Sequence, residues 1–183
     1  MFIYFVEAAF FIILVLADIL SKNIVCGALG NTVGNSYTII EGICDLTYVE
    51  NYGASFGILS GQKWLLTAIS ILMLVGVLIL LICKPKAHKL LRFSLIAIAA
   101  GAFGNLFDRL IFGYVRDFIE YTFFETWFNI NFGIGNVADL IIIFGFVALI
   151  VYILFVYEEG EKRVKTKKQY KNKSKKEAKN NDV

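Results

Sequence analysis

Two aspartates stand at the ends of apolar runs where a carboxylate is costly to keep. Asp117 lies in Val115-Arg116-Asp117-Phe118-Ile119, just past one long apolar run. Asp139 lies in Asn136-Val137-Ala138-Asp139-Leu140, just inside the next. Ionisable groups at membrane depth are rare and tend to carry function. Two carboxylates brought close share a proton, because like charges at short range do not both ionise easily. One then activates a water while the other protonates a carbonyl oxygen and later the leaving amine. No serine has a basic partner of the Ser–His kind; Lys22 as a base has no serine well placed beside it.

Three further polar clusters lie near the ends of apolar runs. In Asp18-Ile-Leu-Ser21-Lys22 the acid and the base are four apart, so they meet on a helix as an ion pair. The simplest role for them is a structural clamp at the first helix end, with the lysine snorkelling outward. Asn51-Tyr-Gly53-Ala54-Ser55-Phe56-Gly57 has small residues that let a backbone approach a ligand, or simply form a loop returning to the second helix. In Gly101-Ala-Phe-Gly104-Asn105-Leu-Phe-Asp108-Arg109 the glycines permit close helix packing. Asn105 and Asp108 share a face there, and Asp108 beside Arg109 can form an ion pair or a network that rigidifies the site. In the fourth cluster Asn136 shares a face with Asp139, and either caps its helix or holds a substrate carbonyl.

These clusters need elements to position them. The chain has 183 residues and is 58% hydrophobic. The apolar residues come in four blocks, Phe2 to Leu20, Trp64 to Ile82, Leu90 to Leu106 and Val137 to Tyr157. Each approaches the roughly 20 residues that cross about 30 Å of hydrocarbon. The first block lacks a basic start and a small-residue cleavage site, so it reads as a retained helix. The expectation is an all-α membrane protein with four transmembrane helices and a small extracytoplasmic β-sheet.

Orientation follows from the basic residues. Lys84, Lys86, Lys89 and Arg92 lie between the second and third blocks, and the C-terminal tail is lysine-rich. The opposite loops hold Lys22, Lys63, Arg109 and Arg116. Both termini are therefore expected in the cytoplasm. Residues 1–157 form the membrane domain, with outer loops at about 23–61 and 108–135. Residues 158–183 are expected to form a basic tail, disordered or weakly helical, suited to anionic lipid surfaces or to setting topology. The first outer loop has β-prone stretches punctuated by glycine. The second is rich in aromatics, Tyr114, Phe118, Tyr121, Phe123, Phe124, Trp127, Phe128 and Phe132 among them. They form either an interfacial belt or a gate over a lipid-facing cleft.

Composition excludes other classes. The lysines cluster on one tail with little aromatic interleaving, which argues against nucleic acid. The single histidine, His88, sits in a basic loop, and there is no HExxH or CxxC, so no metal is expected. Cys26, Cys44 and Cys83 form no ligand pattern. A Cys26–Cys44 disulfide is open to the chain if both lie outside the cell, and unpaired thiols are the simpler reading.

Taken together, in order and at this spacing, the five motifs resemble those of the lipoprotein signal peptidases, or signal peptidase II. They are Asp18-x-x-Ser21-Lys22, Asn51-Tyr-Gly53-Ala-Ser-Phe, Gly104-Asn105-Leu-Phe-Asp108-Arg109, Val115-Arg-Asp117-Phe and Asn136-Val-Ala-Asp139. The resemblance covers about Ala17 to Ile143. It implies an aspartic endopeptidase of the bacterial cytoplasmic membrane, working at the outer face without cofactor. Its substrates would be prolipoproteins whose cysteine already carries diacylglycerol. Asp117 and Asp139 would be the catalytic pair. Asn51, Gly53, Asn105, Asp108, Arg109 and Asn136 would line or brace the cleft, and Asp18 and Lys22 would stabilise the first helix end. A sheet cradle and a mobile loop or short helix beside the site are implied as well. Membrane lipids are the surroundings, and a monomer is expected. Gly135 departs from the family's usual phenylalanine, Leu140 from a small polar residue, and the segment from Glu120 to Ile134 is unusually aromatic. These departures bear on the gate and on the width of the cleft.

A different class, a small transporter or channel subunit, would use Glu7, Asp18 and Asp139 as intramembrane carboxylates. It lacks the broken helices or internal repeat of many transporters. A non-catalytic four-span scaffold would leave the polar pairs without a reason to collect on one face.

Overall fold

The computed structural model describes residues 2–53, 59, 61–130 and 132–157. The basic tail and residues 54–58 of the glycine-rich motif lie outside the described residues. Among the described residues, four helices are long and apolar enough to cross a membrane. They begin with α1 (Phe2–Ala28), α2 (Lys63–Cys83), α3 (Lys89–Ile111) and the helix at Val137–Val151, which continues as a π-helical turn over Tyr152–Tyr157. A four-stranded antiparallel sheet sits at one end of this bundle. Its strands are β1 (Ser36–Ile40), β2 (Cys44–Asn51), β3 (Val115–Glu120) and β4 (Ile134–Gly135), in that spatial order. The short helix α4 (Thr122–Phe128) lies between β3 and β4, and the last helix is α5.

The third helix is the hub. Two-thirds of its most apolar stretch, 67%, is buried, against 17%, 17% and 11% for the other three. Its sequence explains this, since Ser94, Ala97, Ala99, Ala100, Gly101, Ala102 and Gly104 keep its surface small. A side chain at Gly101 would strike the Ala138 carbonyl at 2.5 Å and Ile142 at 2.6 Å. One at Gly104 would collide with Asp18 Oδ2. From the other side, Gly145 of α5 brings its backbone within 3.0–3.1 Å of Ile98 N and the Ser94 carbonyl, measured from an added Cβ. The outward faces of α1, α2 and α5 carry exposed Ile13, Leu72, Leu78 and Phe144, and the π-helical turn carries exposed Phe155, as a lipid-facing surface requires.

The first helix runs eight residues beyond the end expected at Leu20, to Ala28. Its polar turn points inward and is covered by α3 and α5, so the charge there does not end the span. Cys26 then packs under the sheet with Tyr48 and Phe118. The helix closes with Gly30 at φ +69°. Gly30 N–H bonds the Gly27 carbonyl, and Asn31 N–H reaches back to the Cys26 carbonyl. This is the Schellman arrangement that glycine permits. Likewise α3 runs through Ile111, so Asp108 and Arg109 lie on the helix rather than in the second outer loop.

The β-prone stretches form β1 and β2, joined by a turn with Gly42 at φ +70°. The third strand was not foreseen. Alternation along β3 sends Val115 and Asp117 to one face and Arg116 and Phe118 to the other. All four are buried, because α1 and α3 cover the second face.

Candidate active site

Asp117 is brought to the site by strand pairing. It lies opposite Val49 on β2, two residues from Asn51. Asn51 Nδ2 donates to Asp117 Oδ2 at 2.7 Å. The Gly53 N–H holds the other end of that amide, donating to Asn51 Oδ1 at 2.8 Å. Asp117 Oδ1 accepts from Asn136 Nδ2 at 2.6 Å.

Asp139 is brought there by a helix start. Asn136 is the N-cap of α5 and forms a capping box with Asp139. Asn136 Oδ1 accepts from the Asp139 N–H at 3.1 Å, and Asp139 Oδ2 accepts from the Asn136 N–H at 3.1 Å. Asn105 Nδ2 donates to Asp139 Oδ1 at 2.8 Å. Each of the four carboxylate oxygens thus takes one N–H, and Asn136 serves both residues. Asn136 caps its helix and binds Asp117 at once.

Both aspartates line a cavity of about 660 Å³ that opens between α2 and α5. Leu66, Met73, Ile142 and Ile143 make its apolar walls, and Tyr121, Phe123, Phe124 and Phe132 roof it. Phe124 stacks on Phe132 with ring centroids 4.2 Å apart. Part of the aromatic loop therefore covers the cleft, and part of it, such as Trp127 and Phe128, is exposed. Gly135 lines the same cavity, where a Cβ would sit 3.2 Å from Asp139 Oδ2.

Burial pushes the Asp117 carboxyl up to about 7, and the charge of Asp139 adds to the rise. The N–H groups of Asn51 and Asn136 and the more distant Lys22 offset part of it. None of the ion pairs among the described residues involves either aspartate. Tyr121 is also pushed up, by burial first and then by Asp139.

The bracing residues differ from expectation in two respects. Asp108 does not pair with Arg109. It receives Arg116 Nη2 at 2.8 Å, Arg116 Nε at 3.2 Å and the Arg116 backbone N–H at 3.0 Å. Adjacent helix residues point about 100° apart and do not face each other. Arg109 turns instead to the cavity and donates to the Gly53 carbonyl at 2.9 Å. Lys22 does not snorkel. It is wholly buried, bonded to Asp18 Oδ2 at 2.8 Å and to Asn105 Oδ1 at 3.0 Å, with Asp108 Oδ2 at 3.4 Å. Asp18 Oδ1 also accepts from the Ala138 N–H at 2.9 Å, which ties α1 to the start of α5. Asn105 spends its amide on Lys22, Asn136 and Asp139, all within the protein. It braces the site. Arg116 was overlooked; its position next to Asp117 on an alternating strand was the available signal. Cys26, Cys44 and Cys83 are free thiols.

Two amide-held carboxylates at an apolar-walled cavity among membrane-length helices are an arrangement that suits an integral-membrane aspartic hydrolase. Known proteins agree. The family described as signal peptidase (SPase) II matches residues 10–155. The lipoprotein signal peptidase of Clostridioides difficile is 35% identical over 144 residues, 79% of this chain and 91% of the relative. That of Clostridium acetobutylicum is 33% identical over 126 residues, 69% of this chain and 80% of the relative. A bacterial membrane enzyme solved by the in meso method at 2.3 Å resolution superimposes with a TM-score of 0.73. It is 28% identical and covers 81% of this chain and 87% of its own. The chain belongs to the signal peptidase II family. It is an aspartic endopeptidase of bacterial membranes, and the transporter and scaffold readings fall away.

Proposed function

We propose that Asp117 and Asp139 are the catalytic pair, and that they remove signal peptides from prolipoproteins whose cysteine carries diacylglycerol. The observation that carries this is the shared Asn136, which holds both carboxyl groups at one cavity. A water between the pair attacks the scissile carbonyl while one carboxylate takes its proton. The other carboxyl protonates the carbonyl oxygen, and the proton then passes to the leaving amine. Asn51, Gly53, Asn105, Asp108, Arg109 and Asn136 hold the machinery, with Asn105 and Asp108 acting through other side chains. Arg109 is the charged donor that lines the cleft with the pair. The apolar walls between α2 and α5 suit the signal segment and acyl chains, which arrive from the lipid.

The distribution of lysine supports cytoplasmic termini and an outward-facing sheet and site. Residues 1–157 act as one peptidase unit, and the basic tail is separate from catalysis. The enzyme works as a monomer. Thiol-labelling of single cysteines placed at positions 40 and 86 in intact cells tests the topology: only the first should react with an impermeant reagent.

The activity test uses purified full-length protein with a precursor peptide bearing or lacking the diacylglyceryl group. The lipidated precursor should release its signal peptide, and the plain one should do so far more slowly. Folded protein that cleaves neither would overturn the assignment.

A further inference from the structure

Lys22 has no exposed side-chain surface, yet its ammonium is not spent on carboxylates alone. Besides Asp18, Nζ donates to Asn105 Oδ1 at 3.0 Å. The far end of that amide, Nδ2, donates to Asp139 Oδ1 at 2.8 Å. An unbroken line therefore runs from ammonium to amide to carboxylate, across α1, α3 and α5. It has one direction. Turning the Asn105 amide over would set its NH₂ against the ammonium and against the Asn136 NH₂, and its oxygen against Asp139. A full charge on the acceptor end polarises the amide and strengthens the donor end.

The two aspartates are not equivalent. Asp139 is the third residue of α5, where the helix dipole favours negative charge and the Asn136 N–H donates to its Oδ2. Asp117 sits on a strand, with no helix end behind it. Its donor from α5, Asn136 Nδ2, is divided between Asp117 and Asn105. Burial and the neighbouring charge also raise Asp117 toward neutrality.

Among the described residues, the other groups around the pair leave Lys22 as the cation whose hydrogen bonds lead to it. From α3, Asp108 is taken by Arg116 of β3, and Arg109 by the Gly53 and Asn105 carbonyls. From α1, Asp18 is taken by Lys22 and the Ala138 N–H. β2 presents the neutral Asn51, and the segment after β3 presents Tyr121. α2 lines the cavity with Leu66, Ile69, Ser70 and Met73, and α5 carries no charge besides Asp139.

We propose that Lys22 is a positioning residue of the dyad: through Asn105 it holds the pair's single negative charge on Asp139 and leaves the proton on Asp117. Asp139 is then the base that takes the water proton, and Asp117 the acid. This rests on the protease reading above.

The test is the pH dependence of kcat/KM on a diacylglyceryl-modified precursor, with purified full-length enzyme. Wild type is compared with Lys22→Met and with Asp18→Asn/Lys22→Met, which removes the ammonium together with its nearest carboxylate. Losing a cation makes both carboxyls hold protons more tightly. In Lys22→Met both limbs of the profile should therefore move to higher pH, by about 1 unit, and in the double variant, which also loses an anion, by less. A lower rate with unmoved limbs would reduce Lys22 to a packing role and overturn the proposal. Infrared spectra of folded wild type and Asp117→Asn near pH 6 give a second readout, open even if the Lys22 variants do not assemble. The protonated-carboxyl band should be lost in Asp117→Asn. If it persists there and disappears in Asp139→Asn, the proton belongs to Asp139 and the proposal fails. Folded wild type that cleaves no precursor would instead sink the protease reading.

Discussion

Two buried ionic clusters occupy opposite ends of this bundle, and they are built differently. At the end away from the sheet, Glu7 of α1 meets Arg92 of α3, with Oε1 to Nε at 2.5 Å and Oε2 to Nη2 at 2.8 Å. Arg92 Nη1 goes to the Leu81 and Lys84 carbonyls, at 3.0 and 3.1 Å, where α2 ends. The cluster closes on itself: the acid and the base neutralise each other, and the remaining donors cap a helix. A cavity of about 630 Å³ lies beside it, walled by residues such as Tyr4, Phe11 and Leu78. At the sheet end, Asp18, Lys22, Asp108 and Arg116 also neutralise one another. There, however, the hydrogen bonds continue through Asn105 and Asn136 to two carboxyls that have amides for partners and no cation. Burial of charge alone does not set the proposed catalytic centre apart, and neither does a cavity, which Glu7 and Arg92 also line. What does is a pair of carboxyls held by amides with no cation beside them, still able to exchange a proton.

The comparison can be broken most sharply at those two carboxyls. Asp117→Asn and Asp139→Asn should each lower kcat on the order of 10²–10⁴-fold, with unfolding temperatures in detergent close to wild type. A collapse of folding in both variants would make the pair part of the scaffold. Next come the closed clusters. Glu7→Leu strands Arg92, and Asp108→Asn strands Arg116; breaking a buried pair in this way costs about 3–5 kcal/mol. Denaturation should show both losses. Activity per folded molecule should fall for Asp108→Asn and stay near wild type for Glu7→Leu, and equal effects would erase the distinction between the ends. Gly104→Ala forces a methyl against Asp18, whose oxygens are already engaged. Overpacking of this kind costs about 1–3 kcal/mol, and thermal unfolding against a Gly76→Ala control, where the space is open, measures it.

The smallest effect is in pH. Asp117 is raised to about 7 by burial and by Asp139, so it carries its proton below that value and loses it above. As an acid it should fail as pH rises, and cleavage should fall roughly tenfold per unit on the alkaline side. A rate still climbing beyond pH 8 would remove Asp117 from that role.

Much of the fold could be read locally. Spans two, three and four followed from uninterrupted apolar runs near the length a bilayer demands, because in lipid the backbone must satisfy itself within each helix. The polar clusters stood out for the same reason. Reading failed where a residue's partner lay far along the chain. The charge at Asp18 looked like a helix end, since covering by α3 and α5 has no local signature. Asp108 was matched with the adjacent Arg109 on proximity in sequence, while helix geometry gave it to Arg116. The strand bearing Asp117 is short and buried on both faces, so its alternation was hidden.

By itself, then, the sequence determined the four spans, the polar side chains at one end of them and the family to which their order belongs. Only the tertiary structure decided which amide faces which carboxylate. The physical reason is that helix formation in lipid is driven by composition over one short stretch. The orientation of Asn51, Asn105 and Asn136 is instead set by donors and acceptors that arrive from other segments, 66 residues away for Asn51 and Asp117 and 83 for Lys22 and Asn105.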